Sequence, residues 1–383
     1  MTEYDVVVVG SGAAGLYCAL KLDKKLRVLI ITKKKLRDCN SYLAQGGITT
    51  VVDENDKVSF IEDTIRAGKN ENDVDAVRLL ADEAKQMIAD LVSLGMPFTT
   101  ENGKIRYTKE GAHSRPRIVH ADDETGRRLI ETLEKHVRAR ENITVWEDAT
   151  LIDVLEYSQE GMKSCAGVLL EKALTYQWIR CKKTVFACGG IGGLFKNTTN
   201  QSTVTGDALA IAHEHGIAVK DLAYIQFHPT ALYEEGAGGR RFLISESLRG
   251  EGAQLLNPEK KLFIDPLLAR DVVTAEIRKQ MALHHSPHVY LDISDKDSAF
   301  IMKRFPAIYQ KCLAAGYEIT REPFPVMPSQ HYFMGGIQVD LKGRTSMAHL
   351  YAIGEASCTG AHGKNRLASN SLLEALVYGA AAA

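Results

Sequence analysis

Three glycines near the start of the chain carry the first chemistry that residue types and spacing can show. Gly10-Ser11-Gly12-Ala13-Ala14-Gly15 follows the Val-rich run 5–9 and opens a helical stretch over 16–22. Strand, G-x-G-x-x-G and helix in that order form a dinucleotide fingerprint. Gly10 permits a tight turn, Gly12 lets a pyrophosphate approach the backbone, and Gly15 lets helix and strand pack closely. The helix start then offers unpaired N–H groups and a positive dipole end to phosphates. A second strand, 27–31, runs into Lys33, at a place where an acidic ribose ligand is expected. The lysine is compatible with ribose or phosphate contacts, and equally with a solvated basic turn of Lys33, Lys34 and Lys35. Beyond it, Asn40-Ser41-Tyr42-Leu43-Ala44-Gln45-Gly46-Gly47 is a small-residue loop whose glycines would let backbone lie against a flat ligand.

The elements that must position these residues are those of an α/β chain. Its 383 residues suit two domains, or one large α/β domain carrying an insertion. Hydrophobic residues at 45% and charged residues at 25% exclude disorder, collagen or a coiled-coil rod. With 47 basic against 48 acidic side chains, there is no bulk electrostatic case for nucleic acid or an acidic membrane surface. The N-terminal residues lack a signal peptide's basic and then apolar make-up, and no apolar run approaches the ~20 residues of a bilayer span. Seven scattered cysteines without a CxxC pair argue against a disulfide framework or zinc site and for a reducing cytoplasm. No metal site is expected.

Helical periodicity runs through 58–95, including Val77, Leu80, Ala84, Ile88 and Leu91, and again through 125–140. Strands are expected at 143–146 and, as a meander, at 151–156, 164–171 and 175–180. Another buried strand at 184–188 runs into Gly189 and Gly190, and the pattern of a strand followed by glycine and an acid returns at Gly354-Glu355 before a helix over 369–382. The segment 241–333 has short helices and most of the prolines. It reads as a smaller α+β capping domain inserted into a Rossmann-like domain, whose two parts are 1–240 and 334–383. The helix end at 380–383 has no cap, as though a further domain were missing.

Several longer motifs occur in order: Gly10 to Gly15, the AQGG of Ala44 to Gly47, Gln226-Phe227-His228-Pro229-Thr230, Ser245-Glu246-Ser247-Leu248-Arg249, Arg270-Asp271, His331-Tyr332-Phe333-Met334-Gly335-Gly336, and Asn365-Arg366 through Ser369 to Ser371-Leu372. Together they resemble the flavoprotein family of succinate dehydrogenases, fumarate reductases and L-aspartate oxidases. The loop around Glu110, His113, Arg117 and His120 resembles the L-aspartate oxidase branch. The resemblance implies an FAD-binding domain interrupted by the cap, with the family's C-terminal helical domain absent. Ser11, Gly12, Ala13 and Ala14 would hold the pyrophosphate, Lys33 the adenosine end, and Asn40, Ser41, Tyr42, Leu43, Ala44, Gln45, Gly46 and Gly47 the isoalloxazine. Ala149 and Thr150 would touch the adenine side through backbone, Asp207 and Glu355 the ribose or ribityl hydroxyls, and Ser371 and Leu372 the ring's carbonyl edge. Asn40 stands where membrane-complex members carry a histidine bonded covalently to FAD, which implies non-covalent FAD here.

For a dicarboxylate substrate, bidentate arginine offers the best charge-assisted donor geometry. The resemblance makes Arg366 the clamp, with Gln226, His228, Ser245, His331 and Ser369 completing the binding set. Arg270 is implied as a proton carrier aided by Glu246 and Arg249, because a free guanidinium with pKa above ~12 needs such help. The alternative is that Arg270 only binds a carboxylate. Glu110 is the candidate partner for the ammonium group by which aspartate differs from succinate. The implied activity is FAD-dependent oxidation of L-aspartate to iminoaspartate, with oxygen or fumarate as electron acceptor, in de novo NAD biosynthesis and with a functional link to quinolinate synthase. Two readings stay beside it: a soluble fumarate reductase or succinate dehydrogenase flavoprotein subunit, and a non-catalytic flavin-binding remnant.

Overall fold

Residues 6–9 of the strand Glu3–Val9 are fully out of solvent, the condition for a central parallel strand covered on both faces. This computed structural model describes residues 3–159 and 161–383. Glu3–Val9 pairs in parallel with Val28–Ile31 on one side and Thr175–Phe186 on the other, and Ile143–Trp146 extends the sheet beyond Val28–Ile31. Thr175–Phe186 serves two sets of partners. Its first half is antiparallel to Met162–Lys172, which pairs in turn with Ala149–Gln159, while its last three residues run parallel to Leu350–Ala352. The sequence pattern splits this element because a largely exposed half gives way to buried Thr184, Val185 and Phe186. The backbone itself continues unbroken.

The periodic stretch 58–95 is likewise two helices, Glu54–Ala67 and Val74–Ser93. Between them Lys69 and Asn70 adopt left-handed backbone conformations, and the Asp73 carboxylate caps the second helix by accepting from the Asp75 and Ala76 N–H groups. An N-cap starts a new helix even where apolar residues at helical spacing occur on both sides of the gap.

One face of the main sheet is covered by the helices Ala13–Lys21, Val74–Ser93, Thr125–Arg138 and Asn370–Ala381. The opposite face packs against the meander and the helix Asp207–Glu214. A third core, including Leu232, Val273, Ile277, Val289, Phe305 and Phe324, belongs to a second sheet. Its strands run in the order Gly239–Arg240, Asn197–Thr198, Phe324–Phe333, Val289–Asp292 and Gln254–Leu256, with Ile225–Leu232 also antiparallel to Phe324–Phe333. Strands from both sides of residue 240 therefore build it. Among the described residues no helix is long and apolar enough to cross a membrane, and no cluster of three or more potential metal ligands occurs.

Helix Ala13–Lys21 can lie against the first strand only because its contact residue has no side chain. A Cβ on Gly15 would stand 2.2 Å from the Gly10 carbonyl oxygen, whereas Gly238 has nothing within 4 Å. Gly15→Ala is therefore expected to lower stability by about 1–3 kcal/mol through overpacking and to reduce FAD content on purification. Gly238→Ala should leave both unchanged, as thermal melts and flavin absorbance per chain will show.

Candidate functional site

The parallel strands all end at one side of the main sheet, and there the chain opens a long cleft toward the second sheet. Its walls include Val9 to Ala14, Thr32, Lys33, Asn40, Gln45, His228, Arg270, His331, Glu355 and Arg366. The cleft runs from the glycine turn at Gly10 to the charged residues around Arg270 and Arg366.

At one end lies the glycine turn. Gly10 has φ +120°, and a Cβ there would meet the Ala187 carbonyl oxygen at 2.2 Å. Helix Ala13–Lys21 starts at Gly12 with no side-chain cap and no acid in its first turn. Ser41 Oγ accepts from the Ala13 N–H at 3.0 Å. The helix end therefore presents donors and a positive dipole to the cleft, an anion site of the kind a pyrophosphate uses. Ser11 Oγ donates to Thr32 Oγ1 at 3.0 Å, and both residues line the cleft.

Lys33 is neither a free ligand nor a solvated turn. Its Nζ lies 2.6 Å from Asp207 Oδ2 and donates to Thr205 Oγ1 at 2.8 Å and the Thr203 carbonyl at 3.1 Å. Both side chains line the cleft, so this ion pair joins the second strand to the start of Asp207–Glu214. Asn40 is also occupied: its Nδ2 donates to Asn200 Oδ1 at 2.6 Å and its Oδ1 accepts from Gln201 N–H at 2.8 Å. Glu355 Oε1 accepts from Phe333 N–H at 3.0 Å. Burial pushes the Glu355 carboxyl up to about 7, against the opposing pull of that N–H, Arg366 and Asn40.

The other end gathers charge. Arg270 donates from Nε to Glu246 Oε2 at 2.6 Å and from Nη1 to Gln226 Oε1 at 3.0 Å. Arg249 Nη2 lies 3.0 Å from the same Glu246 oxygen. Burial alone would raise the Glu246 carboxyl, but the two guanidiniums outweigh it and hold it below the usual range. Gln226 Nε2 donates to Asn365 Oδ1 and to the Arg366 carbonyl, which ties Arg270 to the backbone of Arg366. His228 and His331 stand with ring centroids 5.0 Å apart. The Thr230 N–H donates into His228 Nδ1, and Thr199 Oγ1 bonds His331 Nδ1 at 2.7 Å. Burial, reinforced by Arg270, keeps both rings neutral.

Glu110 reaches this end from an irregular loop. Arg117, with no exposed side-chain surface, bonds Asp56 at 2.9 Å and Asp63 at 2.6 Å, and Asp63 also accepts from Ser114. His113 adds a bond to the Ala368 carbonyl. Held this way, the loop buries Glu110, whose carboxylate accepts from Ser247 Oγ at 3.1 Å and Ser369 Oγ at 2.7 Å. Burial and the nearby Glu246 raise the Glu110 carboxyl above its ordinary value. Gly46 comes close enough that a Cβ there would be 3.0 Å from Glu110 Oε1. Gln45 Oε1 accepts from Ser245 N–H at 3.1 Å, joining the AQGG loop to the charged end.

Five of the sequence candidates lie off the cleft wall: Gly15, Tyr42, Thr150, Gln226 and Arg249. Gly15 lies under the glycine turn, and Tyr42 packs against the main core. Thr150 sits on a strand whose alternation sends Ala149 and Leu151 to the cleft and its own side chain elsewhere. Gln226 and Arg249 lie one residue back, bonded to Arg270 and Glu246. Sequence reasoning missed Thr32, Thr199, Asn200, Thr205, Ser247 and Tyr332. Ser247 and Tyr332 stand inside motifs already singled out; the polar run 197–205 carries no distinguishing pattern.

Residues 5–372 match the family described as "FAD binding domain". The L-aspartate oxidase of Clostridium acetobutylicum is 51% identical over 100% of this chain and 87% of its own length, and that of Clostridium perfringens is 48% identical over 98% and 84%. The chain belongs to the L-aspartate oxidase family. Its fold is also that of the Escherichia coli quinol fumarate reductase chain FrdA, in a mutant structure, with a TM-score of 0.92 at 28% identity over 100% of this chain and 70% of that one. FAD is the cofactor of this L-aspartate oxidase family fold, and the uncapped helix end and close glycines of the cleft fit its pyrophosphate.

Glu355 makes stability depend on pH. Its folded carboxyl titrates at about 7 against 4.5 when free, so its contribution is fully present below about pH 4.5 and is lost as pH rises through 7. Thermal melts of the FAD-free chain from pH 5 to 8 should show this decline, and Glu355→Gln should flatten it.

Proposed function

We propose that this chain oxidises L-aspartate to iminoaspartate, that the electrons pass to oxygen or fumarate, and that the product is passed toward quinolinate synthase for NAD biosynthesis. Bound FAD supplies the acceptor that takes the α-hydrogen as hydride, while one proton leaves the substrate nitrogen. The relatives named L-aspartate oxidase support this reading, and one observation carries it. Glu110 is buried and bonded by two hydroxyls, with no cation in ion-pair contact among the described residues. A substrate ammonium would supply the missing charge; succinate has none to offer.

The remaining candidate residues bind and orient. Arg366 meets one substrate carboxylate, and His228 and Ser245 meet the other. Thr230 meets His228 at Nδ1 through its N–H and its carbonyl, both at 3.2 Å, which leaves Nε2 as the ring nitrogen available to a ligand. Arg270 keeps Nη2 clear of protein hydrogen bonds among the described residues while Glu246 and Gln226 fix the rest of its guanidinium. Glu246 and Arg249 make that group a candidate proton carrier for fumarate reduction, where a proton must reach carbon. All seven cysteines are free thiols, which suits work in a reducing cytoplasm.

Asn40 cannot form a covalent link to the flavin ring, so acid precipitation of the purified holoprotein should release FAD into the supernatant, and flavin retained in the pellet would overturn non-covalent binding. Glu110 decides between aspartate and succinate chemistry. A charge-assisted bond contributes roughly 1.5–3 kcal/mol, so Glu110→Gln should lower kcat/KM for aspartate by about ten- to a hundredfold. The same variant should leave fumarate reduction unchanged or faster. Equal losses in the two assays would return Glu110 to a loop-closing role and remove the support for aspartate.

A further inference from the structure

Arg366 is buried, but it is held in an unusual way. Its only protein hydrogen bond among the described residues runs from Nη1 to Ser371 Oγ at 3.2 Å, and its Nε is buried with no partner. No carboxylate forms an ion pair with it there. Beneath its planar face lies the ring of Tyr332, with the guanidinium carbon 4.4 Å from the ring centroid. The Tyr332 hydroxyl donates to Glu374 Oε2 at 2.8 Å. The same carboxylate oxygen takes His362 Nε2 at 2.9 Å, and its other oxygen accepts from Thr359 Oγ1 at 2.6 Å. Glu374 is 1% exposed. It sits on the helix Asn370–Ala381, while Tyr332 sits on the strand Phe324–Phe333.

A carboxylate partner would take the N–H donors along the guanidinium edge, and those are the donors a substrate carboxylate needs. An aromatic ring instead attracts the cation through its face and leaves the edge open. A carboxylate bonded to the phenol then fixes the ring and adds negative potential behind it. Three donors satisfy Glu374, so the negative charge stays in place although it is buried.

We propose that Tyr332 and Glu374 are a positioning pair that holds Arg366 by its face and reserves its edge for a carboxylate of the substrate. This rests on the reading of Arg366 as the carboxylate clamp. Neither residue of the pair transfers a proton or an electron; both act on affinity for a dicarboxylate.

The test is an anaerobic titration of the oxidised holoenzyme with succinate, following the flavin absorbance change. Tyr332→Leu removes the ring and should weaken binding about five- to thirtyfold, the range expected of a desolvated cation–π contact. Tyr332→Phe keeps shape and breaks only the link, Glu374→Gln keeps shape and removes the charge behind the ring, and each should weaken binding by a smaller factor, about two- to tenfold. Combining them should be no worse than the weaker-binding single variant, and in an Arg366→Leu background Tyr332→Phe should change nothing. A purely structural role would lower Tm or FAD content and leave the affinity of the remaining holoenzyme intact. If Arg366→Leu binds succinate normally, the clamp reading fails and takes this inference with it. If Arg366→Leu weakens binding but Tyr332→Phe and Glu374→Gln match the parent, the positioning pair alone is overturned. Should Tyr332→Leu or Glu374→Gln not fold, Tyr332→Phe decides, and parental affinity in that variant overturns the pair.

Discussion

Glu246 holds Arg270 at 2.6 Å and Arg249 at 3.0 Å, with all three side chains withdrawn from water. Each ion taken out of water costs several kcal/mol unless its neighbours compensate, and one carboxylate between two guanidiniums leaves positive charge in surplus. Much of the surrounding chemistry follows. The Glu110 carboxyl is raised partly by the charge on Glu246, and His228 and His331 remain neutral partly because Arg270 faces them. Gly111 must be glycine-sized, since a Cβ there would meet Glu246 Oε1 at 2.3 Å. Arg366 adds a further buried cation with no ion pair among the described residues. The arginines of the site thus leave it short of negative charge, and a dicarboxylate supplies it.

A second buried ion cluster supports the first without touching it. Arg117 between Asp56 and Asp63 has no access to solvent, so breaking it by removing one partner would strand a buried charge. That penalty fixes the 109–117 loop on the helix Glu54–Ala67 and so places Glu110 with a definite geometry. The Lys33–Asp207 pair has a looser, partly exposed setting at the opposite end of the cleft. The charged end is therefore the more rigidly specified of the two.

The sequence shows the parts of this site that depend on local geometry. The glycine turn, the AQGG loop and the arginine- and histidine-bearing motifs are contiguous stretches whose residue types state their chemistry, and all of them border or back the same cleft. What stays hidden depends on partners distant in sequence. Nothing local tells that Lys33 is neutralised by Asp207, 174 positions along, or that Gln226 and Arg249 stand behind the residues that face a ligand. The helix break at 68–73 is hidden for a different reason: apolar residues at helical spacing occur on both sides of it, and the interruption is marked only by Gly68, Asp73 and the left-handed Lys69 and Asn70. Thr175–Phe186 hides similarly, because burial changes midway while the strand does not.

The cleft draws on residue 9 at one extreme and residue 375 at the other, and the first helix packs against the last, with Gly379 set close to the Ala14 carbonyl. Such long-range closure is slow to form and cannot be assembled piecemeal. A ribosome that has released only the glycine turn and its strands has made half of a nucleotide site with an unfinished wall. The polypeptide must therefore emerge through residue 375 before it can grip its cofactor, so flavin capture follows translation of the full 9–375 span. Until then the apolar faces of the first strands lie open to aggregation or to chaperones.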